Sequence, residues 1–194
     1  MIVLASKSAS RRAMLEGAGI AFESRPADVD ERAIEAGLGD ASPAAAALAL
    51  AVAKAEHVSR GTPEALVLGS DSLVSCGGRR FDKPESRADA AAHLAFFSGK
   101  IMELHSAAAL VRNGEVVWVE AARADLHVAQ LSPDFIDRYL DAEWPQIAAC
   151  VGCFRIEARG VQLFERIEGD YFTILGMPLL KVQAALRKLG VLET

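Results

Sequence analysis

Apolar and polar positions change rhythm repeatedly along the chain. Ile2-Val3-Leu4-Ala5 is a short apolar run, and three alternate serines, two arginines and the apolar pair Met14-Leu15 follow it. That order predicts a strand and then a serine-capped helix. Phe22 to Arg25 reads as a second strand. Ser42-Pro43 opens a long alanine-rich helix to about Ser59, by cap-then-proline logic. Ala65 to Leu68 is continuously apolar, as expected of a strand buried on both faces, and it ends at Gly69-Ser70-Asp71-Ser72. Leu73–Ser75 and Arg80-Phe81 flank Gly77-Gly78 as a small hairpin. Ser86 caps a helix that stops at Ser98-Gly99. Ile101–Val111 and Val116–Val128 flank Asn113-Gly114 and predict a long antiparallel pair. Ser132-Pro133 begins a helix to about Ala142. Val151 to Glu157 reads as a loop, Gly160 to Ile167 as a strand and Glu168-Gly169-Asp170 as its turn. Leu179–Leu189 is a last amphipathic helix, closed by Gly190. Alternating strands and helices without an interdomain linker predict one α/β domain over residues 1–194, with two lobes around a cleft.

Composition narrows the classes. The 194 residues are 52% hydrophobic, enough for a substantial core, and the net charge of −5 argues against a broad nucleic-acid-binding face. No apolar run approaches a bilayer span, and the N-terminus lacks the pattern of a signal peptide. The expectation is a cytoplasmic protein with no membrane or nucleic-acid partner. Three cysteines, Cys76, Cys150 and Cys153, form no disulfide framework. Cys150-x-x-Cys153 reads either as a metal or redox pair without a second ligand pair, or as two small buried thiols.

Candidate chemistry gathers at a few positions. Arg11 and Arg12 fall in or near the first turn of a helix, where each cation costs about 0.3–1 kcal/mol against the dipole. An anion at that place removes the penalty. Backbone N–H groups, the hydroxyls of Ser6, Ser8 and Ser10, and guanidinium forks then form a phosphate cradle; the alternative is a solvated basic turn. Asp28, Asp30 and Glu31 offer oxygen ligands to a hard cation, or form an acidic helix start. Lys54 ends an otherwise uncharged helical stretch, as a site cation or as a side chain snorkelling from a buried helix. Asp71 projects from the end of a buried strand, where ligands collect in open α/β sheets, or it closes a turn on its own backbone. Gly69 allows another backbone or a ligand to come close. Lys83, held extended by Pro84, is a second phosphate ligand or a surface lysine.

These pieces, in this order, resemble the Maf family of nucleotide pyrophosphatases. The matching stretches are Leu4-Ala5-Ser6-Lys7-Ser8-Ala9-Ser10-Arg11-Arg12, Asp28-Val29-Asp30-Glu31, Lys54-Ala55, Gly69-Ser70-Asp71-Ser72, Lys83-Pro84, Phe97-Ser98-Gly99, and Glu168-Gly169-Asp170-Tyr171 with Gly176-Met177-Pro178-Leu179. The resemblance implies a mixed twisted sheet flanked by helices, similar to the inosine triphosphate pyrophosphatase fold. It implies hydrolysis of the α–β phosphoanhydride of a nucleoside triphosphate to monophosphate and pyrophosphate, with Mg²⁺ or Mn²⁺, by a homodimer that clears unwanted nucleotides. Carried over by position, Ser6, Ser8, Arg11 and Lys54 bind the triphosphate. Glu31 and Asp71 serve metal and water, Asp71 accepts the proton, and Lys83 neutralises phosphate charge. The bare chemistry agrees, because phosphoryl transfer needs clustered cations and a carboxylate that orients water.

Specificity positions of the family fall on Ser10, Ser72 and Glu157. Ser10 and Ser72 match neither the thymidine/uridine triphosphate pattern nor the 7-methyl-GTP pattern. Glu157, followed by Gly160 to Arg166, resembles the 7-methyl-GTP branch, and a carboxylate suits a guanine-type N–H edge. A non-catalytic nucleotide-binding regulator of septum formation is the alternative; it would use the same cradle without needing Asp71.

Overall fold

The computed structural model describes residues 1–193. Its strands are β1 (Ile2–Leu4), β2 (Phe22–Ser24), β3 (Leu66–Cys76), β4 (Arg79–Phe81), β5 (Ile101–Arg112), β6 (Glu115–Val128) and β7 (Phe164–Glu168). Its helices are α1 (Ala9–Gly17), α2 (Glu31–Gly37), α3 (Pro43–Ser59), α4 (Arg87–Phe97), α5 (Pro133–Glu143), α6 (Tyr171–Leu175) and α7 (Leu179–Lys188). The strands form one seven-stranded sheet in the order β2-β1-β3-β5-β6-β7, with β4 paired to β3. β1 pairs with β2 and with β3 in parallel, whereas β4 on β3 and β7 on β6 are antiparallel. The sheet is therefore mixed, as expected. No described helix is long and apolar enough to cross a membrane.

The chain forms two compact units, interleaved in sequence. The first comprises Met1–Ser72, His105–Ala122 and the C-terminal segment from Asp170; the second comprises Leu73–Leu104 and Arg123–Gly169.

In the first unit, the two-residue period of the strands sorts side chains to opposite faces. Ile2 and Leu4 of β1, Leu66 and Leu68 of β3, and Ala108 and Leu110 of β5 share one core cluster with Met14 and Leu15 of α1 and Val182 and Leu186 of α7. Positions of the other parity on β3 meet α3. A Cβ on Gly69 would sit 2.1 Å from the Ala51 carbonyl oxygen and 2.8 Å from the Ala55 nitrogen. Only a glycine lets helix backbone lie this close to strand backbone. Ala47, Ala51 and Ala55 of α3 are fully buried, so the alanine-rich composition is a close-packing surface.

The second unit is built around Phe81 of β4. Its ring lies 4.6 Å from Phe97, 5.1 Å from Phe96 and 5.0 Å from His93, all on α4. α4 and α5 pack together, and Arg87 ties them by ion pairs of 2.7 Å to Asp137 and 2.6 Å to Asp141.

Three expectations need correction. β3 does not end at Leu68 but runs on to Cys76, so Asp71 lies within a strand and not in a turn beyond it. Gly160 to Leu163 is not strand: Arg159–Leu163 is a 3-10 turn, and β7 begins only at Phe164. A Cβ on Gly160 would approach the Arg155 carbonyl oxygen to 2.4 Å, which accounts for the tight turn. The third is α6, absent from the sequence reading; Asp170 starts it by accepting N–H bonds from Phe172 and Thr173, both at 3.0 Å.

Candidate active site

Serines open the site. Ser8 is the N-cap of α1, and its hydroxyl accepts from the Arg11 backbone N–H at 3.4 Å. Ser6 is buried, and its Oγ accepts from the Ser8 N–H at 3.2 Å. Arg11 therefore sits in the first helical turn, as its spacing predicts. Its guanidinium folds back on the protein: Nη1 donates to Ser6 Oγ at 3.3 Å, Nη2 to Ser72 Oγ at 3.1 Å and Nε to the Gly176 carbonyl at 2.9 Å. Three of its five N–H donors are thus fixed. Burial lowers the Arg11 pKa from its ordinary value, and the charges of Asp71 and Glu31 oppose that shift.

Gly176 collects donors from several elements. Its carbonyl accepts from Arg11 Nε, from Ser72 Oγ at 2.9 Å and from Ser70 Oγ at 3.2 Å. Ser70 and Ser72 are two apart on β3, so both hydroxyls leave the same face. Ser70 Oγ shares its one proton with the nearer Ala107 carbonyl at 2.8 Å, Ser106 donates to the Thr173 carbonyl at 2.7 Å, and the Ser72 and Ser106 hydroxyl oxygens lie 2.9 Å apart. Gly176 caps α6 with φ of 107°, a conformation that favours glycine, and a Cβ there would lie 3.2 Å from Ser72 Oγ. From the sequence, Gly176 and Ser70 enter only within family stretches, and neither of them, nor Ser106 or Thr173, is assigned to the site there. Alternate serines within an apolar strand were the available signal.

Asp71 leaves β3 on the opposite face, toward α3. It is 7% exposed, and its Oδ1 lies 2.5 Å from Lys54 Nζ, itself on a residue 9% exposed. The same Nζ lies 2.7 Å from Glu31 Oε1 on the first turn of α2. The close approach at Gly69 delivers this geometry, because Lys54 stands directly before Ala55 on the helix that rests there. One ammonium thus joins a buried and an exposed carboxylate. Asp30 takes the helix-start role instead, its carboxylate accepting from the Ala33 N–H at 3.0 Å.

The first unit therefore holds two groups, Ser6, Ser8, Arg11 and Ser72 joined by hydrogen bonds and Glu31, Lys54 and Asp71 joined by ion pairs, with Arg11 in the field of both acids. Ser10 is half-buried on α1. Lys83 and Glu157 belong to the second unit, both exposed, on the segment after β4 and the loop before the 3-10 turn. Both are felt by Cys150, whose thiol burial pushes upward, with Glu157 adding to the shift and Arg155 and Lys83 opposing it. Cys150 and Cys153 hold no disulfide. Among the described residues no group of three or more His, Cys, Asp or Glu side chains could hold a metal. Glu31 and Asp71, converging on one ammonium, suit a hard cation that brings phosphate oxygens with it, since Mg²⁺ commonly takes only one or two protein carboxylates.

The chain is similar to known proteins over its full length. A 7-methyl-GTP pyrophosphatase of Rhizobium meliloti is 50% identical over 195 residues, covering 100% of this chain and 98% of that one. A nucleoside triphosphate pyrophosphatase of Nitrobacter hamburgensis is 44% identical over 192 residues, covering 99% and 95%. Among solved structures, a HAM1 protein from Coxiella burnetii aligns with a TM-score of 0.44 at 18% identity, over 67% of this chain and 73% of that one. The family described as Maf-like protein matches residues 1–189. With a match of that extent, the chain belongs to the Maf-like protein family.

Proposed function

We propose that the protein hydrolyses a nucleoside triphosphate at the α–β phosphoanhydride, releasing pyrophosphate, with a 7-methylated guanosine triphosphate as the first substrate to test. The observation that carries this reading is the buried Asp71 carboxylate, bridged through Lys54 to a second acidic residue, with its charge felt by the arginine of a serine-rich loop at a helix N-terminus. Relatives over the full length of the chain bear pyrophosphatase names, which supports the same reading.

Each residue then has a task. The α1 N-terminus, with Ser6, Ser8 and the two remaining Arg11 donors, receives phosphate oxygens; backbone N–H groups and guanidinium forks suit that charge. Lys54 supplies a mobile point charge for the phosphate chain. Asp71 orients the attacking water and takes its proton, an assistance typically worth 10²–10⁴-fold. A divalent ion held by Glu31 and Asp71 would supply charge neutralisation on the phosphates. Lys83 is proposed as a further phosphate cation. Glu157 is proposed to accept N–H bonds from a guanine-type edge. The protein is also proposed to act as a cytoplasmic homodimer.

The test is pyrophosphate release from a panel of standard and modified triphosphates with Mg²⁺ or Mn²⁺. Release of pyrophosphate, and not orthophosphate, is expected, fastest with 7-methyl-GTP. Glu157→Gln should lower that preference by about tenfold, the size of one lost directed contact. Nucleotide binding without turnover on any substrate would replace this reading with a binding regulator.

A further inference from the structure

The Glu31–Lys54–Asp71 bridge has a second property, which concerns access of metal to the site. The two carboxylates carry two negative charges, and Lys54 and Arg11 carry two positive ones. The set is balanced as it stands, with Asp71 and Lys54 buried and with Arg11 in the field of both acids. A divalent ion seeking Glu31 Oε1 and Asp71 Oδ1 needs the oxygens that Lys54 Nζ already holds, at 2.7 and 2.5 Å. If Lys54 stayed, ammonium and metal would compete for the same oxygens and repel each other at short range in a poorly screened place. If Lys54 left with no new partner, a nearly buried ammonium would lose its counter-charges, which is strongly unfavourable. Phosphate oxygens resolve both problems at once.

We propose that Lys54 is a place-holding cation: without nucleotide it keeps divalent metal off Glu31 and Asp71, and a triphosphate, by drawing its ammonium away, opens the pair to metal. This rests on the proposed nucleotide substrate for its second half only. Metal and nucleotide then bind as a coupled pair, and the protein alone is a poor metal binder. Lys54 thus acts as a positioning residue whose contacts differ between the two states, which is what a coupling of ligands requires. A flexible lysine suits this exchange better than an arginine, whose planar fork would hold both carboxylates more rigidly.

The experiment measures Mn²⁺ uptake by the full-length protein, following the electron paramagnetic resonance signal of free Mn²⁺. Without nucleotide, the parent protein should bind Mn²⁺ weakly. Lys54→Met should bind it at least about tenfold more tightly, within the usual range of coupling between sites. Adding Asp71→Asn to Lys54→Met should abolish the gain, and Lys54→Arg should stay as weak as the parent. Lys54→Gln, closer to lysine in polarity, repeats the comparison should Lys54→Met not fold. Adding a non-hydrolysable α,β-methylene analogue of GTP to the parent should raise Mn²⁺ uptake above that of protein and analogue measured separately. Equal Mn²⁺ affinity in the parent and in the lysine-free variants overturns the proposal. The nucleotide-free comparison is independent of substrate: tighter binding without Lys54, in a protein that releases no pyrophosphate, refutes the proposed reaction and keeps this inference.

Discussion

Lys54 Nζ and Asp71 Oδ1 lie 2.5 Å apart, across the contact between a long helix and a central strand. The helix can rest so near the strand because the residue two before Asp71 is a glycine. Replacing Asp71 with asparagine keeps the shape and a hydrogen-bond acceptor but removes the charge and the basicity. Asp71→Asn is expected to lower kcat by about 10²–10⁴-fold. Binding of a non-hydrolysable nucleotide, followed by calorimetry, should remain measurable. Turnover at the parental rate would remove Asp71 from the role of base.

Gly69→Ala places a methyl carbon 2.1 Å from the Ala51 carbonyl oxygen. Neither backbone can yield without moving the helix, so the substitution acts as core overpacking and is expected to cost about 1–3 kcal/mol or more. Urea denaturation should show a lower midpoint with little change in slope. Activity should fall too, because the displaced helix carries Lys54.

Arg11→Lys tests the clamp. One ammonium cannot reproduce the fork that reaches Ser6, Ser72 and Gly176 from three nitrogens. The change should destabilise the protein by about 1–3 kcal/mol, the cost of leaving buried polar groups unpaired. It should also raise KM for the triphosphate. Thermal denaturation and steady-state kinetics give the two readouts. An unchanged melting temperature would mean that the network does not bear on stability.

A pH dependence follows from two thiols of the second unit, the buried Cys153 and the half-buried Cys150. Burial pushes Cys153 up to about 12 from an ordinary 9.0, with Asp89 and Cys150 adding to the shift. Cys150 moves in the same direction. The unfolded chain therefore releases these protons first as pH rises. The Cys153 contribution to stability is complete below about pH 9 and is lost between about 9 and 12, since the folded state then binds more protons than the unfolded one, and Cys150 acts in the same direction. Urea midpoints measured across that range should fall less steeply for Cys153→Ala than for the parent protein.

The sequence told most where local chemistry decides structure. Ser8, Ser42, Ser86 and Ser132 all cap the helices expected of them, because capping is settled within three residues. The ordered family stretches also singled out Glu31, Lys54 and Asp71 before any geometry was known. The pattern ends the strand at Leu68 and leaves Ser70, Asp71 and Ser72 beyond it, because polar residues in a row normally seek solvent. Here each finds a buried partner instead: the Ala107 and Gly176 carbonyls, Lys54, and Ser106. The reach of Arg11 to Gly176 spans 165 positions and has no periodic signature. The boundaries of the two units carry no mark in composition, since each unit is assembled from separated stretches of chain.

The Gly176 carbonyl carries one last consequence, for biosynthesis. The arginine fastened to it is translated 165 positions before the fastener. A nascent chain can finish β1, α1 and much of the sheet while its phosphate loop still lacks this anchor. Competence to grip a nucleotide should then arise late, once residue 176 has left the ribosome, and chains truncated before it should lack both this anchor and the α7 side chains that complete the core.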